Sequence, residues 1–258
     1  MKSFPCRRRK FLGGLFTLAL LLLLPVPLVR GADHPLYFMA PDAVDVLALL
    51  PPPPIAGSPE DRADMAAVVN ARNSCPASDL AVALEQNQNL SVFNLAPFLG
   101  ANFKGDQLPK TALLFYHAQR DTAWFVNLAK DHWRRPRPST TDPSLLMNTP
   151  DSNFSYPSGH SASATIMALI LMELVPDHAQ EIFVASREVG WHRVQLARHY
   201  PSDIQAGRVV AQAVYRAMKS DPRFQAEFAE AKAELAAAIP LTPLLNSTNR
   251  AAAEPVAH

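Results

Sequence analysis

The sequence predicts an all-α protein folded as one compact helical bundle, and three observations predict it. Apolar residues recur at helical spacing in segment after segment, no stretch of useful length alternates as a strand does, and no repeat period stands out. At 258 residues and 48% apolar composition, the chain suits one domain with an ample core rather than two small ones.

The first 31 residues read as an export signal, not as part of the fold. Arg7, Arg8, Arg9 and Lys10 form a basic start, Leu15 to Leu24 an apolar run, and Val29-Arg30-Gly31 a small-residue site with cleavage near Gly31 or Ala32. Arg8-Arg9-Lys10-Phe11-Leu12 also fits a twin-arginine pattern, while the leucine-rich run fits ordinary secretion. Against retention as a membrane anchor, the run is short and ends in Pro25 and Pro27. A periplasmic or secreted location is expected, with no stable membrane insertion after cleavage.

Removing residues 1–31 takes six basic and no acidic side chains, so the formal charge falls from +1 to −5. A mildly acidic chain has no electrostatic footprint for nucleic acid or anionic lipid, which excludes those partners. Cys6 leaves with the signal and Cys75 is then alone, which excludes an intramolecular disulfide and a cysteine zinc site.

Residues 32–59 form a proline-rich arm. Pro51 to Pro54 favour polyproline II and Gly57-Ser58-Pro59 closes the segment. It reads equally as a surface tether or as an arm over the body or across a partner, the latter allowing a homodimer. The helical domain spans residues 60–239. Ser58 caps a first helix with Glu60 and Asp61 in its opening turn, and a second runs from Asp79 to Leu90. A longer one runs from Pro109 to about Asp131, with Leu114, Ala118, Phe125 and Leu128 on its apolar face. Pro136, Pro138, Pro143 and Pro150 impose a loop. An apolar helix follows from Ser158 to Val175, another from Asp177 to about Arg198, halted by Pro201. Ser202 is expected to cap a helix from Asp203 to Lys219, and Asp221-Pro222 opens a last one to about Ala238. Residues 240–258 read as a disordered tail.

Three blocks in the second half carry chemistry. Lys130 is followed seven positions on by Arg137-Pro138, and the prolines can turn both cations toward one point; alone, the block also fits a solvated basic turn. Pro157-Ser158-Gly159-His160 opens an apolar helix, where unpaired N–H groups favour an anion. Ser158 adds a hydroxyl donor, Gly159 permits close backbone approach, and His160 follows at once, although a capped helix start explains the first two equally well. In the third block Arg193 precedes His199 by six residues, and Asp203 lies four beyond. A carboxylate on one ring nitrogen fixes the tautomer and raises the basicity of the other, as an imidazole nucleophile requires. A simple His–Asp surface pair is the competing reading. His117 and His132 are expected to be structural.

Together the blocks resemble the signature of the bacterial class A nonspecific acid phosphatases. These belong with phosphatidic-acid-phosphatase type 2 enzymes and vanadium-dependent haloperoxidases. The pattern is Lys-x6-Arg-Pro, Pro-Ser-Gly-His and Ser-Arg-x5-His-x3-Asp, and Pro51 to Pro54, Ser155-Tyr156 and Asp221-Pro222-Arg223-Phe224 extend the similarity. The resemblance implies a single-domain helical bundle of that type, acting on phosphomonoesters with an acidic optimum and no metal or cofactor. It implies that Lys130, Arg137 and Arg193 clamp phosphate with Ser158 and Gly159, that His199 attacks while Asp203 orients it, and that His160 protonates the leaving alkoxide. Inorganic phosphate or vanadate is the expected active-site anion. A vanadium haloperoxidase and an inactive phosphate-binding protein are the rival functions. One position departs from the pattern: His192 stands where the family has serine before the arginine, and a surface position is expected for it.

Overall fold

The computed structural model describes residues 36–146 and 151–239. Among them are ten α-helices, three short 3-10 turns and no strand, so the all-α expectation is met. The segments expected to hold the export signal and the tail lie outside the described residues.

Proline at the first helical position starts five of the helices: α2 (Pro59–Asn73), α5 (Pro109–Trp133), α6 (Pro138–Thr141), α9 (Pro201–Met218) and α10 (Pro222–Ala238). A first-turn N–H has no partner inside its helix, and proline has none to leave unpaired. Pro201 is therefore where α9 begins, not only where the preceding helix stops. Ser202 does not cap it. Tyr200 is the cap residue, and its backbone N–H donates to Asp203 Oδ2 at 2.9 Å.

The middle of the bundle is α7 (Gly159–Leu174), whose Ala162, Ala164, Ile166, Met167, Ile170 and Leu171 are fully buried. An apolar helix of this kind needs cover on every side. It packs against α5, α9 and α8 (Ala179–Gln195), and α10 packs on α5. A smaller core under α2 joins Val68, Ala71, Val194, Ala197, Tyr200 and Ile204. The helix α3 (Ala77–Gln88) lies on α8.

Two glycines set the spacing. A Cβ at Gly190 would come within 2.8 Å of Ile204 Cγ2, and one at Gly207 within 2.4 Å of the Ser158 carbonyl oxygen. Both bring α9 close to its neighbours, the second directly at the start of α7. Among the described residues no helix is long and apolar enough to cross a membrane.

The described part of the arm, residues 36–58, holds one helical turn, α1 (Val46–Leu49), and its remaining length is irregular. It is fastened at two points. Tyr37 and Phe38 donate their backbone N–H groups to the two oxygens of buried Asp121 at 2.7 and 2.8 Å, and Tyr156 donates its hydroxyl to the Pro51 carbonyl at 2.7 Å. His117 stacks on Tyr37 at 3.5 Å and pairs with Glu227 at 3.0 Å, a structural setting as expected.

Candidate active site

Each site residue predicted from the sequence sits at a helix end, and the ends meet. Lys130 lies in the last turn of α5, which closes on Arg134 in the left-handed conformation (φ 49°). That turn sends the chain back, so Arg137 follows on the same side. Ser158 caps α7, accepting the Ser161 N–H at 3.3 Å while its own N–H donates to the Asp203 carbonyl at 3.0 Å. Arg193 is in the last turn of α8, His199 in the link to α9, and Asp203 at the third position of α9.

Around His199 the hydrogen bonds determine the tautomer. Arg137 Nη1 lies 3.1 Å from His199 Nε2. A guanidinium can only donate, so Nε2 is the acceptor and the ring proton is on Nδ1. Nδ1 faces Asp203 Oδ2 and Ser155 Oγ, each at 3.4 Å. Burial, then Arg137 and Lys130, hold the imidazole pKa well below its ordinary value, so His199 is neutral with its Nε2 lone pair toward the cations.

Asp203 is fully buried, and burial raises its pKa. Donors converge on it nonetheless: Arg135 Nη1 at 2.8 Å on Oδ1, with Tyr200 N at 2.9 Å and Ser155 Oγ at 2.5 Å on Oδ2. N–H donors on both oxygens and the guanidinium in contact with it favour the carboxylate form.

The cations are costly to bury and stay close together. Lys130 is 3% exposed, Arg137 5% and Arg193 3%. Burial, then Arg137, pulls Lys130 down to about 7; burial, outweighing the opposing pull of Asp151 and with Arg137 adding to it, pulls Arg193 down to about 9. Lys130 Nζ donates to the Phe154 carbonyl and, at 3.3 Å, to that of Ser155. Arg193 Nε is buried without a hydrogen-bond acceptor. Crowded, desolvated positive charge of this kind favours an anion and repels a divalent cation.

His160 is half-buried, and burial, then Arg193, lower its pKa to about 3. A residue that is to protonate the leaving alkoxide must begin protonated, and the protein alone does not hold His160 so; an added negative charge near Arg193 would oppose that residue's share of the lowering. At Gly159 a Cβ would meet only Val126 Cγ1 at 3.9 Å, so protein packing does not itself demand glycine there.

The sequence reading missed several residues. Arg135 joins Asp203 to α2, donating to Ser202 Oγ at 2.8 Å, Asp64 at 2.9 Å and Asp61 at 3.1 Å, and it stacks 3.8 Å over the Tyr200 ring. Its place among the basic residues between Lys130 and Arg137 was its only signal. Arg137 also donates to the Arg198 carbonyl at 2.7 Å and the Asn153 carbonyl at 2.9 Å. Asn87, near the end of α3, accepts from Arg193 through its side chain and from His160 through its carbonyl. Nothing in the sequence pointed to it. His192 corrects the surface expectation: it is 8% exposed, and its Nδ1 pairs with Gln86 Oε1 at 2.7 Å. It thus ties α8 to the turn of α3 that also holds Arg193.

With this geometry in view, comparison with known proteins identifies the class. The model of the PAP2 superfamily matches residues 111–225, a span containing all eight predicted site residues. The chain is 32% identical over 200 residues to an acid phosphatase of Zymomonas mobilis, covering 74% of this chain and 75% of that protein. It is 32% identical over 207 residues to a non-specific acid phosphatase of Salmonella typhimurium, covering 75% and 81%. A non-specific acid phosphatase of Providencia stuartii is 31% identical over 215 residues, covering 78% and 84%. The chain belongs to the PAP2 superfamily, alongside these bacterial acid phosphatases.

Proposed function

We propose that this acid phosphatase is an exported, class A, nonspecific phosphomonoesterase that works through a phosphohistidine and needs no metal. The observation that carries the mechanism is the contact of Arg137 Nη1 with His199 Nε2 at 3.1 Å while Nδ1 faces Asp203. The lone pair of a neutral imidazole thereby adjoins the cations that would hold the phosphoryl group.

Lys130, Arg137 and Arg193 bind the phosphoryl oxygens, with the Ser158 hydroxyl and Gly159 N–H at the start of α7. His199 Nε2 attacks phosphorus; an N–P bond forms and the P–O bond to the leaving group breaks. Asp203 keeps Nδ1–H in place and stabilises the imidazolium character that develops. His160 gives its proton to the leaving alkoxide. In the second step His160 takes a proton from water, the hydroxide attacks phosphorus, and the N–P bond breaks to release phosphate. The charge on the equatorial oxygens meets fixed cations throughout, so Lewis-acid assistance is unnecessary.

His160 has a pKa of about 3 before substrate arrives. Phosphate offsets the repulsion from Arg193, so the histidine takes its proton along with substrate, and turnover is favoured by acid. The pH–rate profile should fall as pH rises past neutrality.

The test is His199→Ala with p-nitrophenyl phosphate. Turnover should drop by about 10⁴-fold or more, and rapid-quench labelling should find no acid-labile phosphoenzyme. A retained phosphorylation burst would remove the nucleophile from His199. Activity should survive EDTA, and export should separate the mature chain from residues 1–31.

A further inference from the structure

The loop leading into the second block carries a carboxylate that the mechanism leaves without a task. Asp151 Oδ2 lies 3.0 Å from Arg137 Nη1 and 3.2 Å from Arg198 Nη1. Its side chain is 28% exposed, against 6% and 7% for the two arginines, so it enters from the solvent side. The same Nη1 of Arg137 touches His199 Nε2 at 3.1 Å, so one guanidinium nitrogen bridges the carboxylate and the attacking nitrogen.

Two further features describe how this carboxylate is held. Its charge acts on Lys130, Arg137, Arg193 and His160, which are the three clamping cations and the acid. Yet Oδ2 is buried and makes no aligned hydrogen bond. Asp203, by contrast, takes donors at 2.8 and 2.9 Å on its two oxygens. Asp151 is thus held chiefly by charge and not by directed donors. A phosphate dianion carries more negative charge than this carboxylate, so it is the stronger partner for Arg137 and the cations beside it.

We propose that Asp151 is an internal competitor for phosphate, its carboxylate standing on Arg137 and Arg198 until the phosphoryl group displaces it. It weakens the hold on substrate and on product phosphate together, which keeps a strongly cationic site from being trapped by the phosphate it releases. The inference rests on the phosphatase reading only in assigning Arg137 to the phosphoryl group.

The experiment measures inorganic phosphate binding by calorimetry for the full chain, Asp151→Asn and Asp151→Ser, with thermal unfolding as the check on folding. Both variants should bind phosphate on the order of tenfold more tightly. Unchanged or weaker binding means that Asp151 merely steadies Arg137, and overturns the proposal. A second measurement needs no variant: in a crystal structure of the unaltered chain with phosphate, Asp151 Oδ2 should have left Arg137 Nη1. Phosphate bound to Arg137 with the 3.0 Å contact intact overturns it equally. Calorimetry reads the anion without turnover, so a failed phosphatase reading would show as absent hydrolysis with the Asp151 effect preserved.

Discussion

Replacing Gly207 with alanine should damage catalysis far more than folding. Gly207 lies on α9 where it passes the start of α7, and an added Cβ would stand 2.4 Å from the Ser158 carbonyl oxygen. The Ala162 nitrogen and Ser161 Cβ would each be 3.2 Å away. The closest of these atoms is backbone, so no side chain can swing aside to give room. Carbon–oxygen contacts settle at about 3.3–3.6 Å, so the helices must part by on the order of 1 Å. Such overpacking costs about 1–3 kcal/mol, while alanine returns about 1 kcal/mol of helix propensity. The net loss is then at most about 2 kcal/mol, a fall in Tm of roughly 4–8 °C at most for a domain this size. The parting also moves Ser158, Gly159 and His160 relative to His199 and pulls on the 3.0 Å bond from Ser158 N to the Asp203 carbonyl. A displacement of about 1 Å in a reacting constellation costs about 100-fold in rate. Steady-state kinetics on p-nitrophenyl phosphate beside scanning calorimetry separates the two effects. Unimpaired kcat/KM in Gly207→Ala would refute the claim that this close approach sets the geometry of the site.

The buried charges have further measurable consequences. Lys130, pulled down to about 7 by burial and Arg137, is charged below that pH and neutral above it. The inhibition constant of sulfate, whose own charge is fixed, should therefore rise above about pH 7 by up to about tenfold per unit, and Lys130→Met should flatten the curve. A flat profile in the unaltered enzyme would contradict the assignment. The same lysine makes the unliganded fold gain stability as pH rises from about 7 toward the ordinary value of 10.5, because the unfolded chain binds that proton more tightly. Arg135→Met should destabilise by about 3–5 kcal/mol by leaving Asp203 and Asp64 without their shared cation. It should also shift the pH profile of kcat/KM through the loosened His199, with Arg135→Lys restoring part of the stability; an unmoved profile would leave Arg135 a purely structural role.

The sequence by itself determined the helical class and the order of the main helices, and its motifs, through their resemblance to a known family, singled out the eight residues proposed for the site. Those are local properties: apolar spacing, proline and capping residues at helix starts, and short motifs at fixed intervals. Even here Ser202 misled, because a good capping residue beside a proline looks the same whether its hydroxyl caps a helix or, as found, bonds Asp64 and Arg135. Only the tertiary structure decided how the site is supported. Asp64 and Asp203 share Arg135 across 139 positions of chain, Asn87 reaches Arg193 from another helix, and His192 is buried against Gln86 instead of lying on the surface. The proton condition of His160 and the place of Asp151 are of the same kind. Burial and charge at a point depend on every element that converges there, and no single stretch of sequence contains that sum.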